Sequence, residues 1–230
     1  MTFQEIERLL SSHRMAKYLI ACNTDQDKAL ELYRANLRLS YELFAVTSMF
    51  EVVLRNKIDQ HYKTKFLAST GSDQWLETQT EPEGCFHNNP QVEKTFKNIS
   101  EAKAKLKRKR KYTHDKLVAE LTFGFWRYLF ASKEFMAAGS TLHQIFVNRP
   151  HNTNHTDIFK KLGHINDLRN RIAHHEPICF NTTGIICTVY ALEHYNIMVE
   201  LFGWLDVDAV RLLQGIDNVP QEVTLIDGLL

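Results

Sequence analysis

The sequence predicts an all-α protein, and three observations carry that prediction. Glycine and proline are scarce, at 9 and 5 of 230 residues, so few tight turns are encoded. Leu, Lys, Glu and Ala, which all favour helix, are plentiful. From Thr24-Asp25 onward, Leu30, Tyr33, Leu37, Phe44, Met49, Val53, Ile58 and Tyr62 keep helical spacing for about ten turns with neither proline nor glycine. A sandwich or barrel would need turn residues far more often.

The elements follow in order. The opening MTFQEIERLLSSHRMAKYLIAC reads as two short helices separated by a Ser11-Ser12 N-cap. The long pattern after Asp25 is a single helix or a kinked pair, the spine of the fold. Residues 68–90 gather nearly every loop-forming residue type and predict a surface loop with one turn around Trp75. A helix from about Val92 to Lys109 follows. KLVAELTFGFWRYLFAS is apolar on most sides and predicts one buried helix, with Gly124 admitting a close neighbour. Further helices are expected over Phe135–Val147, Asp157–His175 and Ile185–Leu205, then a short one near Asp206–Gln214 and a tail. No low-complexity linker interrupts the 230 residues, and 44% hydrophobic composition supplies a large core, so one domain over 1–230 is expected.

Composition also limits function. No apolar run reaches the ~18 residues a membrane span needs, since even Leu117–Phe130 is broken by Glu120 and Arg127. The four cysteines form no C-x-x-C pair or metal-ligand spacing, and the N-terminus resembles no signal peptide, so a reducing cytoplasm is expected, with no membrane partner. A net charge of +1 does not advertise a nucleic-acid partner for the whole molecule. Its distribution does: Lys103, Lys105, Lys107, Arg108, Lys109, Arg110 and Lys111 form a local field that attracts phosphate, or else a solvated helix end.

The chemistry concentrates in LRNRIAHHEP, Leu168 to Pro177. On a helical wheel Ile158, Leu162, Ile165, Leu168 and Ile172 share one arc, with Arg169 at its edge and Arg171 on the solvent side. Asn170 and His174, four positions apart, lie one above the other on an adjoining face. Pro177 disfavours helical geometry at Glu176, so the helix should end near His174 or His175, where its last carbonyls favour an imidazolium. Arginine offers a permanent planar cation for phosphate oxygens, asparagine a neutral hydrogen-bonding group, and histidine a proton carrier near neutral pH. These are parts for handling a phosphodiester. LRNKIDQHY at Leu54 echoes LRNRIAHHE in its first five positions, allowing Lys57 for Arg171, with His61 aligned to His175.

Arg169, Asn170 and His174, or His175 at the longer spacing, resemble the Arg-x4-6-His motif of HEPN-domain ribonucleases. The chain as a whole resembles the Abi-like abortive-infection proteins, through ALELYRANLRLSYELF, FEVVLRNKI, LVAELTFGFWRYLF and LRNRIAHHEPI in that order. The resemblance implies a HEPN-like helical bundle with additional N-terminal helices, and RNA cleavage without cofactor or metal by a homodimer whose two motifs form one cleft. Attack of a 2′-OH on its own phosphate needs a base, an acid and cations, and one motif offers one well-placed histidine and one arginine, so a two-fold axis would complete the set. The products would be a 2′,3′-cyclic phosphate and a 5′-OH. Either His174 or His175 fits the spacing, and His174 is favoured because it stacks on Asn170. For a toxin-like ribonuclease of this kind the partners to consider are RNA, a second copy of the chain, and an inhibitory RNA or protein antitoxin, whose existence the sequence leaves open. The alternative is a non-catalytic RNA-binding or regulatory module using the Lys103–Lys111 patch.

Overall fold

In the computed structural model, which describes residues 2–229, the chain begins with a capping box. Thr2 Oγ1 accepts the Glu5 N–H, and a Glu5 carboxylate oxygen accepts the Thr2 N–H at 2.7 Å, closing the first turn of α1 (Phe3–Leu10). Ser11 caps α2 (Ser12–Ala21) by accepting the Arg14 N–H. The spine is one helix, α3 (Gln26–Thr70), of 45 residues. Its buried ridge is Leu32, Leu39, Leu43, Val46, Phe50, Leu54, Ile58 and Tyr62. Leu37 and Phe44, expected on that ridge, are 43% and 48% exposed. The element is as predicted and part of the face is not, because α3 carries more apolar residues than its core face holds and spacing alone does not rank them.

The remaining helices are α4 (Trp75–Thr78), α5 (Glu93–Arg108), α6 (His114–Glu120), α7 (Phe123–Tyr128), α8 (Ser132–Ala137), α9 (His155–Ala173), α10 (Val189–Trp204), α11 (Ala209–Leu212) and α12 (Val219–Asp227). Short 3-10 turns span Pro90–Val92 and Leu142–Ile145, and no β-strand occurs among the described residues. The protein is all-α.

Four expectations need correction. The buried helix of KLVAELTFGFWRYLFAS is two, since Leu121 is extended and Thr122 starts α7. A single helix would display apolar side chains all round, whereas the break lets Leu117, Phe123, Trp126 and Phe130 all be buried. The helix over Phe135–Val147 is interrupted at Gly139 and Ser140, both at positive φ. The tail holds α12, announced by Pro220 in its first turn. The glycine that admits a close neighbour is Gly163, where a Cβ would come 2.9 Å from Arg127 Nη2, rather than Gly124, where nothing lies closer than 3.8 Å.

The contacts gather into two compact units. The first comprises residues 1–49, 167–200 and 209–230. Its core is built on Met15, Tyr18, Leu39, Leu43, Leu168, Ile178, Met198 and Ile226, and Tyr18 meets Tyr33 and Phe180 edge-on at 5.2 Å. Buried Asn36 accepts the Ile178 N–H at 2.9 Å, which pins the segment following α9 to the spine. Beyond it a bridge between Phe180 and Ile186 closes a short excursion before α10.

The second unit comprises residues 50–166 and 201–208. Phe50, Tyr62, Trp75, Trp126, Phe130, Phe146 and Phe202 fill its interior. At its polar centre, Asp59 accepts from Trp75 Nε1 at 2.8 Å and His114 Nε2 at 2.7 Å, and pairs with Lys63 at 2.8 Å. This carboxylate ties the loop after α3 and the start of α6 to the spine. Burial alone would raise the Asp59 pKa, but the hydrogen bonds from His114, Lys63 and Trp75 outweigh it and hold the group below the usual carboxylate range.

Candidate functional site

The motif occupies the end of α9. Ile158, Leu162, Ile165 and Leu168 are fully buried, Ile172 is half-buried, and Arg169 is half-exposed at the edge of that face, as the wheel predicts. Arg169 has no hydrogen-bond or ion-pair partner among the described residues. Asn170 and His174 are exposed on the same side, and the His174 N–H donates to the Asn170 carbonyl at 2.9 Å.

The helix stops at Ala173 with a paired closure. The His175 N–H donates to the Ile172 carbonyl at 3.0 Å and the Glu176 N–H to the Arg171 carbonyl at 2.9 Å. That geometry requires a left-handed residue between them, and His175 supplies it at φ 56. Glycine usually occupies this position because a Cβ there costs about 1 kcal/mol. A histidine held in a left-handed conformation at the end of the motif is a local strain, the kind that persists where surrounding contacts enforce it.

Arg171, expected on the solvent side, is half-buried instead. Its guanidinium lies over the Tyr190 ring at 4.4 Å, donates to the Pro177 carbonyl at 2.6 Å and pairs with Glu176 at 3.3 Å. The wheel could not show this, because the partner ring arrives on α10. Arg171 therefore clamps the turn that carries both histidines.

The opposite wall of the site is α2, which sequence reasoning did not assign a role. Ser11, His13, Arg14, Lys17 and Tyr18 line, with His174, His175, Glu176 and Pro177, a cleft of about 360 Å³. Arg14 Nη1 donates to the His175 carbonyl at 2.8 Å, joining the two walls. Lys17 sits over the Phe180 ring at 5.1 Å and also lines a neighbouring cavity of about 400 Å³ with Arg171 and Tyr190. The signal was present in HRMAK, where His13, Arg14 and Lys17 crowd one part of a short helix. Nothing local says that this helix meets the end of α9. Arg169 and Asn170 do not line the cleft.

Cys179 lies close to the motif in sequence but does not line the cleft. It is fully buried, and burial pushes its thiol up to about 12. Among the described residues no three His, Cys, Asp or Glu side chains gather as metal ligands, and no helix is long and apolar enough to cross a membrane.

In the second unit the basic run divides in two. Lys103 and Lys107 pair with Glu77, and Lys105 pairs with Glu120. Arg108, Lys109, Arg110 and Lys111 are exposed; none of the four forms a hydrogen bond or ion pair through its side chain among the described residues, and Lys109 adds its charge to that of Lys105 near Glu120. Arg110, at φ 52, closes α5 as His175 closes α9, with Arg110 N–H on Lys107 and Lys111 N–H on Leu106. The aromatic cluster of this unit is core: Phe123, Phe125, Trp126 and Phe130 are buried, and Tyr128 alone is exposed, beneath Lys94 at 4.8 Å.

An all-α chain with a histidine-bearing, basic cleft at a helix end is the class these observations define. The chain belongs to the Abi-like protein family, whose model matches residues 2–179. The match contains both walls of the cleft, and membership is consistent with a role in abortive infection. No curated protein and no solved structure matches the chain.

Proposed function

We propose that this chain is a metal-independent endoribonuclease of the HEPN type that acts in bacterial abortive infection, cutting RNA through the 2′-OH next to the scissile phosphate. The observation that carries the reading is the cleft in which His174 and His175 face His13, Arg14 and Lys17. A phosphodiester lying there would meet imidazoles from two elements and permanent cations around them. One imidazole takes the 2′-OH proton, a second protonates the leaving 5′-oxygen, and the cations stabilise the phosphorane.

His174 is the favoured proton carrier, because the backbone of His175 is committed to ending α9 and to holding Arg14. His13 is the second imidazole, so one chain already offers both an acid and a base. Arg169, five positions before His174 and left without a partner, provides a further cation along the strand, and Asn170 orients the site. A homodimer would align two such clefts. The apolar face of α9 is already covered within the chain, so the two-fold arrangement rests on chemistry and on resemblance.

The test uses an RNA with a single 2′-deoxy nucleotide at a mapped cleavage position. Cleavage should stop at that bond alone, and elsewhere the products should carry 2′,3′-cyclic phosphate. A cut at the deoxy position, or a 3′-OH product, excludes the neighbouring hydroxyl as nucleophile. Arg169→Ala, His174→Ala and His13→Ala should each lower the rate by about 100-fold or more, His175→Ala should cost much less, and a chelator should have no effect.

A second reading, RNA binding without cleavage through the turn at Arg108–Lys111, is favoured by the four exposed cations there. It predicts full RNA affinity and no cleavage in any variant.

A further inference from the structure

A second cationic cavity lies in the other unit, on the stretch of α3 that echoes the motif. Lys57, His61 and Lys65, each four positions from the next, line a space of about 490 Å³ together with Gln60, Thr64, Thr141, Gln144, Ile145 and Val147. No carboxylate is among these residues. That volume falls within the range of small-ligand sites.

The polar wall is organised in advance. Lys65 Nζ donates to the Ala138 carbonyl at 2.6 Å and to Thr141 Oγ1 at 3.1 Å, which leaves its third N–H for a ligand. Gly139, at φ +83, makes room for that ammonium, since a Cβ there would collide with Lys65 Nζ. Thr141 Oγ1 also meets His61 Nε2 at 2.9 Å. The hydroxyl accepts from Lys65 and still has a proton to give and a second lone pair, so it serves Nε2 as donor or as acceptor according to the His61 tautomer. Burial first, and then the Lys65 charge, hold the His61 pKa below its ordinary value, in keeping with a neutral donor in a positive field. Lys57 has no partner among the described residues. Facing these groups, Ile145 and the 62% exposed Val147 form an apolar wall, with the Gln60 and Gln144 amides among the lining groups.

We propose that this cavity binds a nucleoside phosphate, with the phosphate on Lys57, His61 and Lys65 and the nucleoside against Ile145 and Val147. The ligand is either a free mononucleotide or one nucleotide of a strand. Two lysines without a carboxylate select an anion, and lysine serves phosphate as a point charge. The apolar wall and the amides distinguish a nucleoside from phosphate alone.

The test is calorimetric titration of the full chain with AMP, with inorganic phosphate and with a 2′-O-methyl hexanucleotide. AMP should bind more tightly than inorganic phosphate, and Lys57→Glu should weaken AMP by about tenfold or more with an unchanged melting temperature. His174→Ala should leave AMP binding as it was. If only the hexanucleotide binds and Lys57→Glu weakens it, the source is a strand. Equal affinities for AMP and phosphate, indifference of both nucleotide ligands to Lys57→Glu, or loss of AMP binding in His174→Ala would each overturn the assignment.

Discussion

His175 shows how much a single residue decides in this protein. Its left-handed backbone ends α9, its carbonyl receives Arg14, and its side chain lines the cleft, although helix periodicity would assign it only to a face. Replacing it with glycine should relieve the Cβ strain and raise unfolding free energy by about 1 kcal/mol, as read from the denaturation midpoint. An unchanged or lowered midpoint would show that the imidazole makes a stabilising contact larger than the strain. Asn36 is the second such residue. Asn36→Ala would leave the buried Ile178 N–H unpaired, costing about 2 kcal/mol, and should loosen the turn bearing His174 before it disturbs the rest of the first unit, a change visible as faster amide exchange over residues 174–180.

At the scale of elements, Asp59 and the basic run make distinct predictions. The Asp59 pKa is depressed in the folded chain, so its contribution is complete above the ordinary carboxylate value near 4 and is lost as pH falls through the lower folded value. The second unit should therefore lose stability on acidification below about pH 4, and Asp59→Asn should flatten that dependence while costing about 3 kcal/mol at neutral pH. A variant whose acid unfolding matched the parent's would place the responsible carboxylate elsewhere. In α5 the division of the run matters. Arg108, Lys109 and Arg110 are open to phosphate, so changing all three to Gln should reduce the salt slope of RNA binding by up to about 2 to 3. Lys103→Gln should barely alter it, because Lys103 is engaged by Glu77. Equal effects from paired and unpaired positions would return the run to ordinary solvated surface.

For the whole molecule, the proposed activity predicts toxicity. Expression in a bacterial host should arrest growth, and His174→Ala should abolish the arrest. Arrest that persists in that variant would separate toxicity from the cleft. The proposed homodimer is checked by sedimentation at micromolar concentration, where a monomer alone would remove the two-fold cleft and leave His13 and His174 of one chain as the reacting pair.

The sequence by itself determined the all-α class, the unbroken spine, the end of α9 near Pro177 and the order of blocks that marks an Abi-like protein, because helical spacing, punctuation by Pro and Gly, and motif order are local properties of a chain. It also placed Arg169, Asn170 and His174 on neighbouring faces of one helix. Tertiary structure decided which of the many apolar residues of α3 are core, that Arg171 turns under Tyr190 rather than into water, and that α2 rather than another helix faces the histidines. It also decided that Asp59, Trp75 and His114 meet in one buried cluster. The physical reason is common to all four: each depends on a partner more than ten residues away, and a side chain's desolvation and pairing are fixed by what packs against it, which periodicity along one element does not encode.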